Sequence, residues 1–258
     1  MALLEIDGIG LSFGGLRAVD NVSLYVNQAE VVSLIGPNGA GKTTIFNILT
    51  GIYKIDTGKI LFEDKPIHNQ IPQDIVKAGI ARTFQNIRLF RNMRVIENVL
   101  VGSHITAHYG LLETIFRTSR FKQAETENTV NAVHLLKDVG LLNRLHDYAA
   151  NLPYGEQRKL EIARALATGA RLILLDEPAA GMNPQESAEL LRFVLSLRDK
   201  GYTILMIEHD MNVVMNISDR IYVLDYGKVI SQGLPSQVAN DPKVIEAYLG
   251  SAPNAQNK

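Results

Sequence analysis

Gly36-Pro37-Asn38-Gly39-Ala40-Gly41-Lys42-Thr43-Thr44 is the stretch from which the chain can be read. It fits the phosphate-binding pattern G-x-x-x-x-G-K-[ST]. The run before it, Val31-Val32-Ser33-Leu34-Ile35, is short, apolar and rich in β-branched residues, as a buried strand requires. After it, Ile45, Phe46, Ile48 and Leu49 set apolar residues on a helix that ends near Gly51. Glycines let the backbone turn tightly, so that successive N–H groups and the start of the helix converge on one anion. Lys42 can then reach the β- and γ-phosphates, and Thr43 offers a hydroxyl to Mg²⁺, a hard cation that takes oxygen ligands. The stretch predicts a nucleoside triphosphate site.

Of the 258 residues 46% are hydrophobic, enough for one large core or two modest ones. The formal net charge is -1, from 26 basic and 27 acidic residues, which argues against a protein that grips nucleic-acid phosphates. The absence of cysteine excludes disulfide and thiolate chemistry. The start, Met1-Ala2-Leu3-Leu4-Glu5-Ile6-Asp7, has neither the basic nor the apolar region of a signal peptide. No apolar run approaches the roughly 18 residues that a spanning helix needs. A soluble chain is expected, with any membrane connection made through a partner.

Around the loop, residues 3–26 read as short strands broken at Gly8, Gly10, Gly14 and Gly15. A strand is expected over 60–62 and another over 79–85, ending in the polar Gln85. From there to Asn151 the periodicity is helical, with Val130, Val133, Leu136 and Val139 on one stripe and Gly140 just past its end. The last third returns to α/β: an apolar strand 172–175 ending in Asp176-Glu177-Pro178, a helix through 190–197, and a strand 202–207 ending in Glu208-His209-Asp210. A closing hairpin follows over 221–228, then a docking helix bearing Val244, Ile245, Tyr248 and Leu249; residues from Ser251 onward are expected to fray.

Open α/β sheets gather ligands outside the carboxyl ends of their strands. Asp176 reads either as a helix cap or as a carboxylate serving Mg²⁺ directly or through water. In the second case Glu177 is the candidate to orient and deprotonate an attacking water. Gln85 is a solvated loop residue or a ligand to Mg²⁺, and His209 is either a structural histidine or one placed to hydrogen-bond a γ-phosphate. Phe13 is an edge-strand aromatic or a platform for a base. His104 and His108 lack the glutamate of H-E-x-x-H and read as solvated. Residues 151–166 form a glycine-bearing turn entering a helix, whose start is a second potential anion site.

In this order the stretches resemble the ATP-binding subunits of ABC transporters over nearly the whole chain. The resemblance makes 36–44 the Walker A loop, 172–177 the Walker B strand with its catalytic Glu177, Gln85 the Q-loop residue and His209 the switch histidine. Residues 152–156 fall on the signature L-S-G-G-Q, and 181–184 on the D-loop, with Asn183 where Asp is usual. GTPases and kinases lack this set. Four stretches are similar to the LivG-type subunits of branched-chain amino acid importers: 81–90, 95–102, 154–158 and 176–184. Subunits for urea import and lipopolysaccharide export share some of these features.

The resemblance implies an α/β P-loop NTPase fold: an ABC-ATPase core with an antiparallel β subdomain over 1–85 and 151–258, and an inserted helical subdomain over 86–150. It implies ATP and Mg²⁺ as cofactors. Lys42, Glu177 and His209 would be catalytic, and Thr43, Gln85 and Asp176 would serve the metal. Phe13, Val19, Gly36, Asn38, Gly39, Ala40, Gly41, Thr44 and Gln85 would join Lys42 and Thr43 around the nucleotide. Pro153, Tyr154, Gly155 and Glu156 would meet the ATP of a second, homologous or identical subunit in a head-to-tail dimer. The partners implied are transmembrane permease subunits, with no nucleic acid, and the place is peripheral, on the cytoplasmic face of the inner membrane. Pro153 replaces the usual signature serine and offers neither hydroxyl nor N–H, so a weaker contact across the dimer is expected. The rival readings are a non-transport ABC ATPase and a nucleotide-binding regulatory module without turnover.

Overall fold

The apolar run ahead of the phosphate loop forms β3 (Val31–Ile35), with every residue buried. The computed structural model describes residues 2–105 and 118–249; His108 and the tail from Ser251 lie outside them. Strand β3 belongs to a parallel sheet with β6 (Ile80–Arg82), β7 (Leu172–Asp176), β8 (Thr203–Ile207) and β9 (Arg220–Asp225), which β10 (Lys228–Gly233) closes as an antiparallel edge. The order across it is β10-β9-β3-β8-β7-β6. Strands β7 and β8 are buried along their whole length, as a parallel sheet covered on both faces demands. The expected closing hairpin is β9–β10, turning at Tyr226 and Gly227, both at positive φ.

A second, antiparallel sheet runs β2 (Leu16–Asn27), β1 (Ala2–Phe13), β4 (Thr57–Phe62), β5 (Lys65–Pro66). Residues 2–13 form one strand rather than the broken stretches expected. Its pairing shifts register around Gly8 and Gly10, so the glycines make bulges in a continuous strand.

Among the described residues the α-helices are α1 (Lys42–Leu49), α2 (Pro72–Ala78), α3 (Val95–Ser103), α4 (Ser119–Asp138), α5 (Tyr154–Leu166), α6 (Pro184–Asp199), α7 (Met211–Ile217), α8 (Pro235–Ala239) and α9 (Pro242–Leu249). Helix α1 is wedged between the sheets. Its Ile45, Phe46 and Leu49 share a core with Leu4, Ile6 and Val22 of one sheet and Leu34, Leu174 and Leu205 of the other. Burial of each such side chain contributes about 1.5–3 kcal/mol. Successive strand residues face opposite ways, so Val31, Ile173 and Ile204 enter a second core with Ile162 and Val194 from α5 and α6.

Three further expectations need correction. The strand expected over 79–85 stops at Arg82, because the backbone beyond Thr83 bonds to α5 side chains instead of a neighbouring strand. In α4 the buried face carries Ala132 and Leu136, with Val139 just beyond, while Val130 is 48% exposed. Val130 precedes Ala132 by two positions and so stands on nearly the opposite side of a helix with about 3.6 residues per turn. Gly140 does follow the helix end in the left-handed region. In α9 Val244 is buried and Tyr248, 39% exposed, meets the Gly36 backbone, while Ile245 is exposed.

Helix α3 crosses α5 at Gly102, where a Cβ would run into the Arg164 carbonyl and stand 3.0 Å from the Ala167 Cβ. Helix propensity alone favours alanine over glycine by about 0.5–1 kcal/mol. Gly102→Ala is nevertheless expected to destabilise, by about 1–3 kcal/mol from overpacking. Urea denaturation measures it, and a gain in stability would mean that the crossing has room for a methyl group.

Candidate active site

The loop between β3 and α1 approaches its neighbours too closely for side chains. A Cβ at Gly36 would strike the Leu224 carbonyl, and one at Gly41 would lie 2.7 Å from the Ala18 carbonyl, with φ at +147° and +104°. Lys42 opens α1 and turns back over the loop, its Nζ donating to the Gly36 and Pro37 carbonyls at 2.6 and 2.9 Å. Burial holds its ammonium below the usual lysine range, and the Glu177 and Asp176 carboxylates partly offset that. A cavity of about 280 Å³ opens over the loop, lined also by Arg17, Thr43, Thr44, Glu177 and Tyr226. Thr43 is exposed there.

Strand β7 delivers Asp176 at its carboxyl end, beside the same loop. Asp176 is 7% exposed and accepts from Arg82 Nη2 at 2.7 Å. Arg82 also donates to Asn47 Oδ1 at 2.7 Å, and its guanidinium lies 5.5 Å from the centre of the Phe46 ring and 5.1 Å from that of the Phe84 ring. Sequence reasoning missed Arg82. The available signal was a cation beside a buried strand, which needs a carboxylate partner. Glu177 follows with φ at +45°, an uncommon backbone for a non-glycine residue, fixed by its N–H donating to the Ile207 carbonyl at 2.9 Å.

Glu177 Oε2 accepts from Gln85 Nε2 at 2.9 Å and lies 3.6 Å from His209 Nδ1. Gln85, Glu177 and His209 thus meet, although 92 residues separate the first two. A second missed residue is Glu208, which is 1% exposed. Its carboxylate accepts from Ala179 N at 3.0 Å and His209 N at 3.3 Å, tying the turn after Glu177 to the end of β8. Burial pushes the Glu208 carboxyl up, against the pull of those two N–H groups.

Other expected residues lie elsewhere. Phe13 is 43% exposed and meets Tyr53 edge-on at 5.1 Å, outside the cavity lining. Val19 is wholly buried, and Leu16, Arg17 and Ala18 are the residues of β2 that face the cavity. Pro153 is the N-cap of α5, one position earlier than a first-turn proline, with no side chain capping the helix start. Tyr154 donates through its hydroxyl to the Ala180 carbonyl at 3.2 Å, Gly155 faces open space, and Glu156 pairs with Arg144 at 3.5 Å. Asn183 caps α6, its Oδ1 accepting from Glu186 N at 2.9 Å while Glu186 returns a bond at 3.0 Å. Asparagine and aspartate serve equally as such caps, so the departure from the usual residue is neutral for the helix.

A glycine loop running from a central parallel strand into a helix, with a carboxylate pair at the end of a second strand, defines a P-loop nucleotide-binding protein. A family model described as "ABC transporter" matches residues 19–180, and one described as "Branched-chain amino acid ATP-binding cassette transporter" matches 228–253. The chain belongs to the ATP-binding subunit family of ABC transporters. It is 49% identical to the high-affinity branched-chain amino acid transport ATP-binding protein LivG of Escherichia coli K12, covering 97% of this chain and 98% of that protein. It is 45% identical to the corresponding protein BraF of Pseudomonas aeruginosa, over the same shares. A solved ATP-binding cassette of an ABC transporter, in its ADP conformation, superposes with a TM-score of 0.85 at 37% identity, covering 97% of this chain and all of that one. No helix among the described residues is long and apolar enough to cross a membrane.

Removing Arg82 would strand Asp176 as an unpaired buried charge. Arg82→Ala is expected to cost about 3–5 kcal/mol of stability, read by chemical denaturation. A loss below about 1 kcal/mol, the worth of a surface pair, would mean that Asp176 does not depend on this cation.

Proposed function

We propose that this chain binds and hydrolyses ATP to power an importer of branched-chain amino acids. It would work peripherally on the cytoplasmic face of the membrane, against permease subunits and paired head-to-tail with a second ATP-binding subunit. The observation that carries the reading is the meeting of Gln85, Glu177 and His209 beside the phosphate loop. The substrate class is supported by the match over 228–253 and by relatives named for branched-chain amino acid transport.

The N–H groups of 36–44 would hold the triphosphate, and Lys42 would exchange its two loop carbonyls for phosphate oxygens. Water attacks the γ-phosphorus, Glu177 takes its proton, and the bond to the ADP oxygen breaks. His209 orients the γ-phosphate. No cluster of three or more His, Cys, Asp or Glu suited to a metal occurs among the described residues. Mg²⁺ keeps several waters and needs only one or two carboxylates besides phosphate. Thr43 and Gln85 would hold it, with Asp176, one oxygen of which Arg82 already engages, serving it directly or through water. The ion supplies charge neutralisation at the phosphates.

Residues 153–156 would approach the partner's ATP through the uncapped start of α5. Residues 86–150 would form the helical subdomain that faces the permease. An apolar groove of about 510 Å³, lined by Phe84, Leu89, Phe90, Val101 and Ile105, lies between that section and the sheet and would receive the permease.

Glu177→Gln is expected to slow hydrolysis by roughly 10²–10⁴-fold, the usual worth of a general base, with ATP binding retained. Near-normal turnover would remove Glu177 from the role. Gentle detergent extraction through a tag on this chain should recover a multi-spanning permease and a second ATPase subunit. Phe90→Glu in the groove should lose the permease and keep the second subunit. Recovery of ribosomes or nucleic acid, with no membrane protein, would overturn the transport reading.

A further inference from the structure

Arg158 lies one turn inside α5 and is fully buried. Its Nη1 donates to the Phe84 carbonyl at 2.6 Å and to Glu161 Oε2 at 2.8 Å, and its Nη2 donates to the Gln85 carbonyl at 2.7 Å. The other oxygen of Glu161 accepts from Arg88 N at 3.1 Å. Residues 84–89 make no backbone–backbone hydrogen bond among the described residues. Two side chains of α5 therefore hold the main chain of the segment whose Gln85 side chain reaches Glu177.

The ion pair by itself adds little to stability. Arg158 Nε is buried without a hydrogen-bond partner. A buried ion pair is replaced by apolar residues of similar volume at little cost, and often with a gain. What apolar residues cannot do is grip two adjacent carbonyls at once, which the planar guanidinium fork does.

We propose that Arg158 is a positioning residue of the hydrolytic site: it sets Gln85 against Glu177 and makes that contact follow α5. The start of α5 is the part assigned above to the partner's nucleotide, so Arg158 links the partner's ATP to this chain's own attacking-water carboxylate. The proposal rests on the reading of Glu177 as the general base.

Arg158→Lys keeps a charge opposite Glu161 but cannot hold both carbonyls. Arg158→Met combined with Glu161→Leu removes the pair without stranding a charge. In the full chain both variants are expected to speed exchange of the Arg88 amide, the one N–H of this segment with an acceptor, which loosening of the segment would free from Glu161. Both should lower kcat roughly tenfold while KM and ATP affinity stay within about twofold. On a Gln85→Ala background the kcat effect should disappear, since both changes act through one contact. If the apolar pair fails to fold, the lysine variant carries the same readouts. Unchanged exchange of the Arg88 amide would overturn the proposal, as would a loosened segment with wild-type kcat, or losses that multiply with Gln85→Ala. Failure of the Glu177 reading registers separately, as full turnover in Glu177→Gln, and the exchange measurement then decides the role of Arg158 by itself.

Discussion

The molecule depends on how closely the loop after β3 can approach the carbonyls of Leu224 and Ala18. Gly36 and Gly41 have no Cβ, so the loop sits against the main chain of β9 and β2 and α1 starts deep between the two sheets. From there Ile45, Phe46 and Leu49 join the cores of both sheets into one. The same closeness brings the start of α1 to the carboxyl ends of the parallel strands. A loop held further out would leave α1 less buried and Lys42 far from the carboxylates that favour its charge.

Charge at that edge is arranged in pairs with unlike environments. Asp176 is buried and already matched to Arg82, whose guanidinium contacts the rings of Phe46 and Phe84. Glu177, one residue on, is turned by a left-handed backbone towards Gln85 and His209 and borders the cavity. Adjacent carboxylates thereby acquire separate tasks, one electrostatically satisfied and the other poised beside the phosphate loop. Glu208 holds this division in place, since its carboxylate accepts from the turn after Glu177 and from His209 N.

The segment after β6 is the weakest link in regular structure and the richest in consequence. Its main chain leaves the sheet at Thr83 and is taken over by Arg158 and Glu161. The α3–α5 crossing at Gly102 fixes the helical section against the same helix. Helix α5 is therefore the common support of the Gln85 segment, the helical section and the residues at its own start.

Reading the residues in order was enough to place the phosphate loop, the buried strands β3, β7 and β8, the closing hairpin and the family. These features are written in local patterns: fixed spacing of glycines, unbroken apolar runs, a turn at Tyr226 and Gly227. The meeting of Gln85, Glu177 and His209 was also foreseeable, because each follows a strand expected in one sheet, and open sheets collect function at that edge. What linear reading could not supply were partnerships across the fold. Arg82 finds Asp176, Arg158 finds two carbonyls some 70 positions away, and Val19 turns inward while Ala18 before it faces the cavity. The bulges at Gly8 and Gly10 and the buried face of α4 belong to the same class. Local spacing states what backbone a residue prefers, but which buried charge meets which acceptor depends on the register and packing of whole elements, and only the assembled chain decides that.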